Sequence, residues 1–240
     1  IVLIAALMGF GILTLAGWKW LNGLVCEEIV ISGNRHAARE EVLAIARVDT
    51  GVLLFGIEAA LIEDRVRRHP WVHSVEIVRL PPSTLSIEIE EREPVLLAIG
   101  ADGIPSVYLD ESGFMMPVAS GDAYDVPLLQ KARLPTSQAQ PVQNGPLLEL
   151  LSTLGDLDPA VQPLISSFEV EPDGTLAMRT IPAAGHTPIY VRLGRRGFAD
   201  KFARLAGFWE QAVLSRPEMR FDLIDLRFEG QIVTREGPES

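Results

Sequence analysis

No charged side chain occurs between Ile1 and Trp18, and this run limits what the N-terminus can fold into more than any other feature. The first charge, Lys19, lies between Trp18 and Trp20. An uncharged run of about 18 residues or more can span the ~30 Å core of a bilayer, and Trp and Lys side chains at its end suit the headgroup region. We therefore predict a transmembrane helix over residues 1–24.

Two other structures fit this apolar N-terminus less well. A secretory signal peptide has an apolar core of about 7–15 residues, which this run exceeds. The bulky side chains of residues 18–21 also suit a cleavage site poorly. A buried core helix would carry a polar face, which is missing here. Because the chain begins with Ile rather than Met, we expect that a preceding segment has been removed, so the Lys and Arg balance does not give the orientation.

The remainder of the chain is acidic. The 240 residues carry 21 Lys and Arg against 32 Asp and Glu, a formal net charge of −11. Residues 26–98 hold 8 basic and 13 acidic side chains, and residues 99–240 hold 12 and 19. Neither part offers the cationic surface that a sequence-independent nucleic-acid binder needs, and neither is drawn electrostatically to an anionic membrane. The 48% apolar content excludes a disordered acidic tail.

The chain contains one cysteine, Cys26, just after the apolar run. One thiol excludes an intramolecular disulfide framework and a cluster of thiolate metal ligands. In an oxidising compartment Cys26 could bridge to a partner, but a lone cysteine next to a membrane segment more often has no such role.

The sequence pattern of residues 27–95 predicts a small module with the element order β-α-α-β-β. Its predicted elements are the strand 28–32, the helices 39–46 and 57–69, and the strands 71–79 and 85–90. A Gly33-Asn34 turn ends the first strand, and Pro70 stops the second helix. In the last strand Leu85, Ile87 and Ile89 alternate with Ser86, Glu88 and Glu90. This alternation indicates a sheet with one covered face and one wet face.

A set of short motifs marks fixed places in this module. The motif residues are Gly33, Asn34, Gly51, Phe55, Pro70, Trp71, Leu85, Arg92 and Pro94. Their joint order and spacing resemble a POTRA domain, and more narrowly the one in the bacterial division proteins FtsQ and DivIB. The resemblance places a POTRA domain at residues 25–95.

The sequence pattern of residues 96–236 predicts a mostly antiparallel β domain with two helices, followed by a tail at 237–240. The predicted strands are 107–110, 114–117, 167–171, 175–180, 189–193, 221–228 and 232–235, and the predicted helices are 146–157 and 198–214. The second helix carries an apolar stripe formed by Phe198, Phe202, Leu205, Trp209 and Val213. Lys201 and Arg204 lie off this stripe, which is typical of a core-packing helix.

This half also resembles the FtsQ/DivIB family. The matching segments are Asp110–Gly113, Val126–Leu129, Ile189–Gly194 and Ile224–Phe228. Phe228 occupies a place where many members carry Tyr, and the short connection 229–231 leaves the register after it open. The expected fold class is α+β, with a transmembrane helix, a POTRA domain and a β domain.

The sequence contains no convincing catalytic or metal site, and no cofactor is expected. His69 and His73 have the i,i+4 spacing of a metal pair, but Pro70 interrupts the helix that would hold both. Asp222 and Asp225 lie three apart in a predicted strand, and so on opposite faces.

Two further charged segments have simpler interpretations than a binding site. The turn Gly194–Gly197 precedes a helix whose N-terminus could bind an anion, although a plain connector is favoured. The acids Glu88, Glu90, Glu91 and Glu93 indicate a solvated sheet face and its exit.

The resemblance implies a non-enzymatic scaffold of the bacterial divisome. It implies a single-pass inner-membrane protein at the division septum, with a cytoplasmic N-terminus and periplasmic domains that bind the FtsB and FtsL pair. Other division proteins are expected to contact the POTRA domain and the membrane helix, and neither nucleic acid nor a small-molecule substrate is expected.

A terminal strand offers unpaired N–H and C=O groups, to which an extended partner can add as a further strand. The candidate partner-binding residues are Arg227, Phe228, Glu229, Gly230, Gln231, Ile232 and Val233. Arg227 is either a rim contact or half of an intramolecular salt bridge, and Leu226 is either core or surface.

Two alternative functions stay open. A POTRA-bearing component of transport or outer-membrane assembly would need many alternating strands of about 10 residues, which residues 96–240 do not supply. A membrane-tethered periplasmic hydrolase would need a nucleophile and base, and the sequence shows no known motif for them.

Overall fold

The computed structural model describes residues 2–119, 123–135, 137, 140–159, 161–182, 187–216 and 219–237, with the backbone alone for residues 2–6. Two compact units make up the chain, Ile1–Arg92 and Glu93–Ser240. They divide three residues before the boundary that the sequence predicts between 95 and 96. Ile1 and residues 238–240 of the expected tail lie outside the described residues.

The first element is the helix α1 (Val2–Leu21). Its large apolar side chains between Leu7 and Trp20 are 61% to 73% exposed. Within the part of the chain that is described, no helix combines the length and the apolar character needed to cross a membrane. The transmembrane helix over residues 1–24 stays a prediction.

The rest of the first unit is a three-stranded sheet with two helices packed on one face, in the predicted order β-α-α-β-β. The elements are β1 (Glu28–Ser32), α2 (Arg39–Ala46), α3 (Ala59–Val66), β2 (Val72–Leu80) and β3 (Thr84–Glu91). The sheet order is β1-β3-β2, in which β1 lies parallel and β2 antiparallel to β3. Leu85, Ile87 and Ile89 face the helices and are buried, as predicted.

Two details of this unit differ from the prediction, and the structure also places Cys26. α3 is shorter than the predicted helix 57–69. A 3₁₀ turn at Leu54–Gly56 precedes it. A tightened turn before Pro70 ends it, in which the His69 N–H donates to the Val66 oxygen at 3.0 Å. Ser86 is buried rather than exposed to solvent, because its short side chain lies between Val30 and Val78 of the neighbouring strands. Cys26 is fully buried in the same core, where burial raises the pKa of its thiol, so it is not placed to meet a partner thiol.

Glu91 also differs from the solvated acid that the sequence suggests. Its carboxylate accepts the backbone N–H groups of Arg35, His36 and Ala37 at 2.7 to 2.8 Å, and it lies 2.7 Å from Nδ1 of His36. The His36 ring stacks on Trp71 with the ring centroids 4.0 Å apart. Burial acts to raise the pKa of Glu91, but the hydrogen bonds from Ala37 and His36 outweigh it and lower that pKa.

The second unit is built on a nine-stranded sheet that is mostly antiparallel, as predicted. Its strands are β4 (Leu96–Ile99), β5 (Pro105–Leu109), β6 (Met115–Pro117), β7 (Leu128–Gln130), β8 (Ile165–Val170), β9 (Leu176–Thr180), β10 (Tyr190–Gly194), β11 (Phe221–Asp225) and β12 (Val233–Glu236). The sheet order is β12-β11-β10-β9-β8-β7-β4-β5-β6. Three neighbouring pairs are parallel: β10 with β11, β7 with β8, and β4 with β7.

Two helices pack on this sheet. They are α4 (Gly145–Gly155) and α5 (Phe198–Phe208), and α5 continues as a π-helix over Trp209–Leu214. All five residues of the predicted apolar stripe are buried in the core of the unit. The predicted strand 221–228 ends earlier, at Asp225, because the chain turns away from the sheet towards a left-handed Gly230 (φ +67°).

Candidate functional site

The last strand, β12, forms one edge of the sheet in the second unit. It pairs antiparallel with β11, with Leu223 opposite Arg235, Ile224 opposite Thr234 and Asp225 opposite Val233. No other strand of the described residues pairs with it, and all four of its residues are exposed. An edge of this kind is a template for the backbone of another chain.

The hydrogen bonds of β11 show which backbone groups of β12 are free for such a partner. The N–H of Leu226 donates to the oxygen of Arg192 in β10 at 2.9 Å. Because successive residues of a strand direct their backbone groups to opposite sides, Asp225 and Leu223 direct theirs towards β12. Their partners Val233 and Arg235 therefore bond to β11, whereas Thr234 directs its N–H and C=O away from the sheet.

The segment before β12 joins buried and exposed residues. Leu226 is fully buried, so it belongs to the core. Phe228 is 51% exposed although it is aromatic, and Val233 is 46% exposed. Ile232 is half-buried and packs against the core. The loop therefore holds one aromatic ring at the surface beside the open strand.

Arg204 of α5 connects this loop to the body of the unit. Its Nη1 donates to the carbonyl oxygens of Phe228 at 3.2 Å and Gln231 at 3.0 Å. Its Nε lies 3.2 Å from the Asp200 carboxylate, one turn earlier in the helix. One guanidinium thus spans the two ends of the loop, which fixes where Phe228 lies relative to β12. Sequence reasoning placed Arg204 off the apolar stripe but gave no sign of this role.

Arg227 forms the intramolecular salt bridge that the sequence left open. Its Nη2 lies 2.6 Å from Oδ2 of the buried Asp225, and its Nε donates to Oδ1 at 2.9 Å. The hydrogen bonds to Asp225 raise the pKa of Arg227. Burial acts to raise the pKa of Asp225, but the hydrogen bonds from Arg227 outweigh it and lower that pKa. The pair anchors the chain where it leaves β11.

The two histidines with metal-like spacing lie on different elements and in different surroundings. Nε2 of His69 lies 3.2 Å from the Glu41 carboxylate, and its Nδ1 accepts the N–H of Trp71 at 3.3 Å. His73 is exposed on β2. The described residues contain no group of three His, Cys, Asp or Glu side chains that could hold a metal ion.

The N-terminus of α5 is occupied from within the chain. The Gly197 N–H donates to the Glu149 carboxylate at 2.5 Å, so the anion at this helix end is a side chain of α4. Lys201 is buried rather than wet, and its Nζ donates to the oxygens of Leu193 and Arg196 at 2.6 and 2.5 Å. Burial lowers the pKa of Lys201. The turn 194–197 is therefore braced by Lys201 and serves as a connector.

Both glycines of the POTRA motif set have backbone angles that favour glycine. Gly33 has a φ of +78°, and a Cβ there would collide with the oxygen of Ile89. Gly51 has a φ of +90°, and its N–H donates to the oxygen of Cys26 at 2.7 Å. The Asn34 amide donates to the oxygen of Ala37 at 3.0 Å, which closes the turn after β1.

The other motif residues complete the same unit or lie just after it. Trp71 is buried against His36, and the carbonyl oxygen of Trp71 accepts the N–H of Arg92 at 2.8 Å. Leu85 is fully buried, and Pro94 is buried just after the unit ends. Pro70 is half-buried before β2, whereas Phe55 is exposed in the 3₁₀ turn.

Comparison with known protein families matches both units. Residues 25–92 match the POTRA domain of FtsQ type, and residues 93–235 match the domain described as FtsQ/DivIB, C-terminal related. The chain belongs to the FtsQ/DivIB family. Its membership confirms the resemblance that the motifs carry.

Individual FtsQ relatives align with nearly the whole chain. A protein from Rhodothermus marinus named cell division protein FtsQ is 45% identical over 230 residues, covering 95% of this chain and 84% of the relative. A protein of the same name from Salinibacter ruber is 33% identical over 241 residues, covering 99% of this chain and 91% of the relative. A third, from a Geobacter species, is 28% identical over 243 residues.

Proposed function

We propose that this chain is a non-enzymatic scaffold of the bacterial cell-division machinery. The name of its relatives supports a division role, and the family implies protein partners. In this proposal α1 anchors the chain in the inner membrane at the division septum. The N-terminus is cytoplasmic, and the POTRA domain (25–95) and β domain (96–236) are periplasmic. The exposed apolar surface of α1 supports the anchor, because large apolar patches on soluble proteins are rare.

The partner-binding surface in this proposal is the open edge of β12 together with the loop 227–231. The observation that carries it is the register of the exposed strand β12 on β11, from which the backbone N–H and C=O of Thr234 point away from the sheet. An extended segment of FtsB or FtsL would add to this edge as a further strand, with Phe228 and Val233 as apolar contacts.

The length of β12 indicates that this contact alone is weak. A strand of four residues offers few outward backbone groups, and each hydrogen bond contributes about 0.5–1.5 kcal/mol net. Confinement of both partners to one membrane would raise their effective concentration, so that two weak contacts together give firm binding. In a scaffold, a membrane anchor would therefore compensate for the weak binding of a short edge strand.

A charge on the loop tests the proposal. Replacing the exposed Phe228 with glutamate is expected to weaken binding of the FtsB and FtsL pair by about 10-fold or more, because it removes the largest apolar contact at the site. Binding is measured by titrating the pair against the full chain in lipid nanodiscs. Ile104→Glu is the matched control, since Ile104 is an apolar residue that is 61% exposed and lies before β5, towards the other end of the sheet. Equal binding by both variants would contradict the site.

Removing the loop's connection to α5 is also expected to weaken partner binding. Arg204→Lys keeps the positive charge but cannot span the oxygens of Phe228 and Gln231. We expect about 10-fold weaker partner binding, equivalent to ~1.4 kcal/mol, and faster amide exchange in residues 227–231. Arg196→Lys, on an exposed turn, is expected to change neither measurement. Faster exchange without loss of affinity would show that the partner does not use the loop.

A further inference from the structure

Exposed large apolar side chains are unevenly distributed over the first unit after α1. Seven of them are 38% to 52% exposed: Val25, Val30, Val52, Leu53, Phe55, Leu61 and Leu80. Five of these seven belong to three segments that meet beside the start of β1. We name these five residues, Val25, Val52, Leu53, Phe55 and Leu80, the proximal patch.

Backbone hydrogen bonds join the three segments of the proximal patch. The Leu54 N–H donates to the oxygen of Leu24 at 2.8 Å, and the Cys26 N–H donates to the oxygen of Val52 at 2.8 Å. The Glu27 N–H donates to the oxygen of Ser83, in the turn between β2 and β3, also at 2.8 Å. The patch is therefore held directly against the stretch of chain that leaves α1.

Chain geometry limits how far the patch lies from the end of α1. Leu24, which accepts the bond from the 52–55 segment, follows the last helical residue, Leu21, by three positions. Three residues span at most about 11 Å when fully extended. The headgroup region on each side of a bilayer is about 5–8 Å thick. If α1 crosses the membrane, Leu24 and the 52–55 segment bonded to it lie at or next to the headgroups.

We propose that the proximal patch docks into the headgroup region of the bilayer and so holds the POTRA domain against the membrane. This inference rests on the proposed role of α1 as the membrane anchor. The contact is apolar, because the nearby exposed charges are of both signs: the acidic Glu27, Glu28 and Asp49, which an anionic surface would repel, and the basic Arg47. The bilayer is the occupant because the chain itself brings it to the patch, whereas a protein partner would have to be recruited.

The test uses single cysteines carrying an environment-sensitive NBD fluorophore, in the full chain with Cys26→Ala, reconstituted in phosphatidylcholine vesicles. Leu53→Cys and Leu80→Cys report on the patch. Ser32→Cys is the control, since it lies at the far end of β1, about 13 Å along the strand from Glu28. Quencher-labelled lipid is expected to reduce the emission at positions 53 and 80 by about twofold or more, and to leave position 32 unchanged.

The outcomes separate the docking from the anchor. Co-flotation of the chain with vesicles, together with quenching at 53 and 80, supports the proposal. Co-flotation with equal, unquenched emission at 53 and 32 overturns the docking but leaves the anchor in place. Failure to co-float overturns both. Shielding of position 53 that appears only when division partners are added overturns the lipid contact and assigns the patch to a protein.

Discussion

Replacing Thr234 with proline is expected to weaken binding of the FtsB and FtsL pair by about 100-fold, which corresponds to ~2.8 kcal/mol. The substitution removes the N–H that points away from the sheet, and its ring lies where the partner's backbone would approach. The bonds to β11 come from Val233 and Arg235 and are retained. Proline is tolerated at an edge-strand position whose N–H faces solvent, so the fold is expected to survive.

Two variants control for this result. Thr234→Val keeps the N–H and a β-branched side chain, and we expect it to bind like the parent. Arg235→Pro removes a donor to β11 and is expected to destabilise the edge itself. If Thr234→Pro binds as tightly as Thr234→Val at equal thermal stability, the partner contacts side chains only, and strand addition is wrong.

Replacing Glu91 with glutamine is expected to cost the POTRA domain about 1–3 kcal/mol of unfolding free energy at neutral pH. The carboxylate accepts three backbone N–H groups, from Arg35, His36 and Ala37. All three reach one oxygen, Oε1, whereas the amide nitrogen of glutamine would take the place of Oε2 and set a donor against the His36 N–H, which lies 3.0 Å from that oxygen. Amide exchange in residues 35–37 is expected to accelerate by about 10-fold or more. Glu76→Gln, on the exposed surface of β2, is the matched control and should leave that exchange unchanged.

The contribution of Glu91 to folding stability is expected to decrease as the pH falls. Its folded-state pKa lies below the ordinary value of 4.5, so its contribution is fully present above that value. It is lost as the pH falls through the lower, folded-state pKa, where the native carboxylate takes up its proton. Parent and Glu91→Gln unfolding curves are therefore expected to differ at pH 7 and to converge on acidification. A difference that persists in acid would assign the cost to packing instead.

Local sequence patterns predicted those elements that have a clear period. The alternation in β3 and the five-residue stripe of α5 lie as predicted, because each presents one continuous apolar face to a core. The strands β4 and β7, of four and three residues, are too short to show a period of two, and no strand was predicted at either. α3 was predicted too long at both ends, because Ile57 has an extended backbone after the 3₁₀ turn and residues 67–69 form a turn with i→i+3 hydrogen bonds before Pro70.

Long-range polar contacts could not be predicted from these patterns. Glu91 follows two exposed acids in alternation, yet it bonds to a turn 54 to 56 residues away in the chain. Lys201 and Arg204 are predicted on the solvent face of a helix, yet Lys201 donates to the carbonyl oxygen of Leu193 in β10, and Arg204 donates to a loop 24 to 27 residues away. The edge position of β12 was inferred from the family, because strand order in a sheet is not a local property.

Amide hydrogen exchange of β12, resolved to single residues, tests the scaffold proposal most directly. In the free chain we expect fast exchange at Thr234, whose N–H points away from the sheet, and slower exchange at Val233 and Arg235. On binding the FtsB and FtsL pair, the exchange at Thr234 is expected to slow to the rate of its neighbours. Binding that leaves the Thr234 exchange unchanged would contradict strand addition at this edge.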